Sequence, residues 1–175
     1  MKRYSLLLLA LVAIGCSTAP PKGIQPVADF EVDRYLGRWY EIARLDHRFE
    51  RGLTDVTADY SLNDDGTIAV LNRGYNPQTG EWETAEGKAK FRGAESIGSL
   101  KVSFFGPFYG GYHVFELGDE YDYAMVAGPS KNFLWLLARS PEMDDALFER
   151  LVSRADELAF DTDELIRVDH TRAAK

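Results

Sequence analysis

Apolar and polar positions alternate with a period of two along much of the chain. Between residues 54 and 62, Val56, Ala58, Tyr60 and Leu62 alternate with Asp55, Thr57, Asp59 and Ser61, the spacing of a strand with one buried face. Short β-type runs between turn signals predict further strands over 38–45, 67–75, 81–92, 99–105, 112–117, 121–127 and 133–139. Asn63-Asp64-Asp65-Gly66 and Asn76-Pro77-Gln78-Thr79-Gly80 punctuate the runs, because Gly, Asn, Asp and Pro supply the dihedrals that turns need. In 81–92, small Ala85, Gly87 and Ala89 stand opposite charged Glu86, Lys88 and Lys90. The last two runs lose the alternation: Ala124-Met125-Val126-Ala127 and Phe133-Leu134-Trp135-Leu136-Leu137-Ala138 are apolar on both faces. A helix after them explains this. Leu147, Leu151, Ala155 and Leu158 fall on one helical face, with Ser140-Pro141 or Asp144 placed to start it. Residues 165–170 predict a short ninth strand.

Eight antiparallel strands joined by hairpins predict an all-β, up-and-down barrel with the helix packed outside. Such a barrel has an interior just large enough for one small ligand. On periodicity alone a β-sandwich fits nearly as well. In the barrel, loops 47–53, 76–80, 106–111 and 128–132 share one end. By alternation with Trp39, Glu41 and Ala43 face the interior. A buried Glu is costly unless it is paired or near water, and a structural role outweighs one in orienting a ligand head group.

The first 15 residues depart from this pattern. Lys2 and Arg3 precede a short apolar run from Leu6 to Ile14, too short to span a bilayer and laid out as a secretory signal. Ala13-Ile14-Gly15-Cys16 resembles a bacterial lipobox, which implies cleavage before Cys16 and acylation of that residue. Ser17 rather than Asp after the cysteine implies sorting to the outer membrane of a Gram-negative bacterium. The chain then divides into a signal peptide (1–15), a lipidated N-terminus and linker (16–29) and a barrel domain (30–172).

Charge and composition narrow the function. The formal net charge is −8 and becomes about −10 once Lys2 and Arg3 leave with the signal. So acidic a chain is repelled by phosphate backbones, which argues against nucleic-acid binding. The sole cysteine, Cys16, permits no intrachain disulfide and no cysteine-based metal or redox site. His47, His113 and His170 lie in separate elements without metal-ligand spacing, and His113 reads as a wall residue. No nucleophile elbow or phosphate loop is present. Enzyme, cofactor and metal are therefore not expected.

The segment from Val32 to Arg44, VDRYLGRWYEIAR, resembles the first lipocalin motif, built on Gly37 and Trp39. Asp122-Tyr123 resembles the second motif, and Arg139 before the helix the third. The stretches Asp46–Leu53 and Lys101–Tyr112 are similar to the outer-membrane lipoprotein branch of the family, which itself resembles apolipoprotein D. The resemblance covers residues 28–170. It implies that Trp39 closes the barrel base, with Arg139 packed on its ring, and that these residues are structural. An up-and-down topology brings Trp39, Asp122, Tyr123 and Arg139 to one end, as the family requires.

The resemblance also implies an apolar ligand, either a fatty acid or a (lyso)phospholipid, that is bound, stored or transported in the cell envelope. The alternatives are a scavenger of other hydrophobic compounds, a structural envelope lipoprotein or an enzyme. Candidate ligand contacts are Phe104, Phe105, Phe108, Tyr109 and Tyr112 around one mouth loop, with Glu41 and Tyr60 inside. The same aromatics could instead plug the barrel or form a homodimer face. The membrane is the second expected partner, through acylated Cys16.

Overall fold

The computed structural model describes residues 18–172; Cys16 and the signal segment lie outside them. A four-residue helix α1 (Val32–Tyr35) leads into β1 (Gly37–Leu45), β2 (Thr54–Leu62), β3 (Ile68–Asn76), β4 (Glu81–Phe91), β5 (Ser99–Phe105), β6 (Phe108–Leu117), β7 (Tyr123–Ala127) and β8 (Leu134–Ala138). Helix α2 (Asp145–Glu157), a 3-10 turn (Thr162–Glu164) and β9 (Leu165–Arg167) follow. Each strand from β1 to β8 pairs antiparallel with the next, and β8 pairs back onto β1. The sheet is thus a closed eight-stranded barrel, which disposes of the sandwich. No helix among the described residues is long and apolar enough to cross a membrane.

β1 is bent, and the bend decides which side chains enter the lumen. Its first half, Gly37–Tyr40, pairs with β2; its last three residues pair with β9 instead. A register shift against β8 falls between Glu41 and Ala43. One extra residue in a strand reverses the facing of everything after it. Ala43 therefore packs outside with Ile42 and Leu45 in the core beneath α2, not into the lumen as strict alternation predicts. Arg44 turns inward in its place and bonds the Glu41 carboxylate. Where β1 and the start of β2 part, the C-terminal segment fills the seam: the Val168 amide donates to the Ile42 carbonyl, and Asp55 donates to the Asp169 carbonyl.

α2 starts at Asp144, whose carboxylate accepts the Leu147 amide, the N-cap role expected of Asp. Leu151 and Ala155 are buried against Met125, Leu136 and Phe115 on the outer face of β6–β8. The inward side chains of the same strands, Val114, Ala124, Val126 and Leu137, pack around Trp39 and Tyr35. The doubly apolar β7 and β8 thus serve both layers. One strand runs further than expected: β6 begins at Phe108 rather than Tyr112, leaving Gly106-Pro107 as a tight turn where the sequence predicts a loop over 106–111.

Residues 18–30 form a strap on the outer wall. The Val27 amide donates to the Val114 carbonyl, and Val27 accepts from Gly98. A side chain at Gly111 would meet the Thr18 carbonyl at 3.2 Å. His113 is buried beneath this strap, its Nδ1 3.0 Å from the Ser99 hydroxyl, as a wall residue should be. Burial, with Arg92 nearby, holds its imidazole down at about 4.

Candidate functional site: the barrel lumen

The closed end is built first. Trp39 is fully buried, and its indole N–H donates to the Tyr35 carbonyl at 2.8 Å. The Arg139 guanidinium lies 3.9 Å from the Trp39 ring centroid and donates to the carbonyls of Arg38, Arg34 and Tyr121 at 2.8, 2.7 and 3.2 Å. Gly37 has φ +92, a backbone conformation that calls for glycine. The Asp122 carbonyl accepts the Arg139 amide. The Tyr123 hydroxyl accepts from Arg150, tying α2 to this end. Phe30, from the strap, packs 5.1 Å from Tyr35 and completes the plug.

Above this floor lies an apolar cavity of about 100 Å³. Val56, Ile68, Val70, Leu100 and Val102 form its wall. Phe104 also lines it, its ring lying on Gly87, where a Cβ would come within 2.8 Å of it. A larger residue at position 87 would displace that ring.

Two polar clusters interrupt the apolar lining. At the floor, the Tyr112 hydroxyl is 2.7 Å from that of Tyr35 and 2.9 Å from that of Tyr60. Burial raises all three phenols above their ordinary range, so they stay protonated hydrogen-bonding groups. The second cluster is built on two carboxylates. Glu41 accepts from Arg44 at 2.6 Å, and both are almost completely buried. Glu50, from the β1–β2 loop, lies 3.0 Å from His47 Nε2 and accepts from the Trp135 indole at 3.1 Å. Arg44 also donates to the carbonyls of Glu50 and Leu53, folding that loop down over the lumen. Burial and the Glu50 charge push the Glu41 carboxyl well up despite Arg44. His47 and Trp135 hold Glu50 down against its own burial. Glu50 is thus the more acidic member of the pair.

Of the ligand contacts expected from sequence, Phe104, Tyr112, Tyr60 and Glu41 line the cavity. Phe105, Phe108 and Tyr109 do not. Phe105 and Phe108 stand out at the β5–β6 tip, 72% and 66% exposed. The Tyr109 ring lies on the outer wall between the ammonium groups of Lys90 and Lys101, at 5.5 and 5.3 Å. Sequence reasoning missed Arg44, Glu50, Trp135 and Asn72 as lining or ordering groups. The β1 bulge hid Arg44, and the loop fold hid Glu50. Among the described residues no group of His, Cys, Asp and Glu is placed to hold a metal.

A closed eight-stranded barrel with a Trp–Arg closure, an external helix and one apolar lumen defines the class. The lipocalin-like domain family model matches residues 30–170, and the chain belongs to that family. Outer membrane lipoprotein Blc of Vibrio cholerae is 51% identical over 169 residues, covering 96% of this chain and 98% of that one. Apolipoprotein D of the mouse is 35% identical over 121 residues, 65% of this chain and 62% of that protein. Among solved structures, insecticyanin from the tobacco hornworm Manduca sexta shares the fold with a TM-score of 0.70 at 21% identity, over 89% of this chain and 88% of its own. Within its family the chain falls with the outer-membrane lipoproteins of Gram-negative bacteria, as its sequence indicates.

Proposed function

We propose that the protein is a lipid carrier rather than an enzyme, anchored in the outer membrane through acylated Cys16 after removal of residues 1–15. In this reading its lumen takes the acyl chain of a fatty acid or a (lyso)phospholipid. The observation that carries the proposal is the apolar wall of Val56, Ile68, Val70, Leu100, Val102 and Phe104, with Glu50 and Trp135 lining the cavity toward the mouth. Burying apolar chain surface there contributes ~25 cal/mol per Å². Burying a charged head group in this apolar wall without a partner is costly, so a carboxylate or phosphate stays at the mouth while the tail enters.

The test is titration of the delipidated protein with a lysophospholipid and, separately, a long-chain fatty acid, followed by tryptophan fluorescence. Saturable one-to-one binding is expected, weakened about tenfold or more, ~1.4 kcal/mol, by Phe104→Glu. Absence of saturable binding by both ligands overturns the proposal.

A further inference from the structure

The three most exposed large hydrophobic side chains of the described residues all sit at the open end. Phe105 and Phe108 flank the β5–β6 turn at 72% and 66% exposure, and Phe49 in the β1–β2 loop is 59% exposed. Large aromatics left to water around one end of a molecule mark a surface for a partner. The strap indicates what the partner is. From Phe30 at the closed end it runs past Val27, beside Val114, to Thr18, beside Gly111. The described chain thus begins on the mouth side of the wall. Cys16 is two residues earlier, a reach of at most ~7 Å. Phe108 lies three strand residues beyond Gly111, ~10 Å further toward the mouth.

These lengths constrain the orientation of the anchored protein. Acyl chains on Cys16 fix that residue at the membrane surface. The aromatic tip then projects about as far past the anchor as interfacial apolar groups sink into a bilayer, ~5–10 Å. We infer that the open end of the barrel docks on the bilayer, with Phe105, Phe108 and Phe49 inserted at the interface and the lumen facing the lipid it would collect or deliver. This rests on the acylation of Cys16 proposed above. Charge is not the driving term. Arg48 lies against the Phe49 ring at 4.7 Å and Arg51 is paired with Asp46, while Glu81 and Glu83 stand at the same end, at the start of β4. Zwitterionic lipid is therefore a sufficient partner.

The test uses the full-length lipoprotein in phosphatidylcholine vesicles containing a nitroxide-labelled lipid. A fluorophore is placed at Phe105→Cys or, at the closed end, at Glu120→Cys; Glu120 is 90% exposed. Both sites are at the surface, so the barrel is undisturbed. The expected result is quenching several-fold stronger at position 105 than at 120, lost in Phe49→Ser/Phe108→Ser. Equal or reversed quenching in vesicle-bound protein overturns the orientation while leaving the anchor intact. An unaltered chain that takes up the fluorophore at Cys16 and fails to float with vesicles overturns the anchor and this inference together. Shielding of position 105 from a water-soluble quencher without lipid, in a dimeric protein, assigns the tip to a second copy and also overturns it.

Discussion

Arg139 shows how much one side chain carries at the closed end. Its planar fork donates to three carbonyls from separate segments and stacks on Trp39, a geometry a lysine cannot reproduce. Arg139→Ala is expected to cost about 2–4 kcal/mol in urea unfolding, from the lost charged hydrogen bonds and the cation–π contact. Cavity contacts are untouched, so ligand stoichiometry should not change. Glu41 carries a cost instead. Its folded-state carboxyl titrates well above an ordinary glutamate, because of burial and the Glu50 charge. The folded state therefore holds a proton that the unfolded chain releases as pH rises past the usual carboxylate range. By linkage this contribution lowers stability as pH increases. Glu41→Gln, which mimics the protonated acid, should gain stability relative to the unaltered protein as pH goes from 5 to 8. Parallel urea midpoints across that range would show the proton to be absent.

At the scale of elements, β2 and β5 begin and end where the sequence places them, since flanking turns bound them clearly, although Leu62 is exposed and Asp55 and Thr57 are buried against the alternation in β2. The doubly apolar β7 and β8 correctly predicted an external helix. Leu151→Ala should therefore destabilise by about 3 kcal/mol yet leave ligand affinity unchanged, because Leu151 packs on the outer face of the barrel. A change in affinity equal to that of Phe104→Glu would contradict this separation of layers. What alternation could not show is the bulge at Glu41–Ala43. A period of two carries no mark of an inserted residue, so Ala43 and Arg44 exchanged sides unseen. The β1–β2 loop escaped for a related reason. Its path is set by Arg44 and Trp135, partners distant in sequence or on the unexpected face.

For the whole molecule, one plug closes the base and two further segments seal the wall. The plug of Phe30, Tyr35 and Trp39 seals the base, the C-terminal segment fills the β1–β2 seam, and the strap covers β6. The cavity lies between this plug and the mouth, with Glu50 and Trp135 among its lining residues. The fold and base closure were legible from the three motifs; the acidic cluster at the mouth depends on tertiary contacts no motif encodes. The central claim is that an acyl chain occupies this lumen. The most direct measurement is quenching of tryptophan fluorescence by a lysophospholipid brominated on its acyl chain. Trp135 lines the cavity, whereas Trp82 stacks outside under Arg73. The account predicts saturable quenching that persists in Trp82→Phe and falls sharply in Trp135→Phe. Quenching that instead survives Trp135→Phe and disappears in Trp82→Phe would place the lipid on the outer surface and contradict the account.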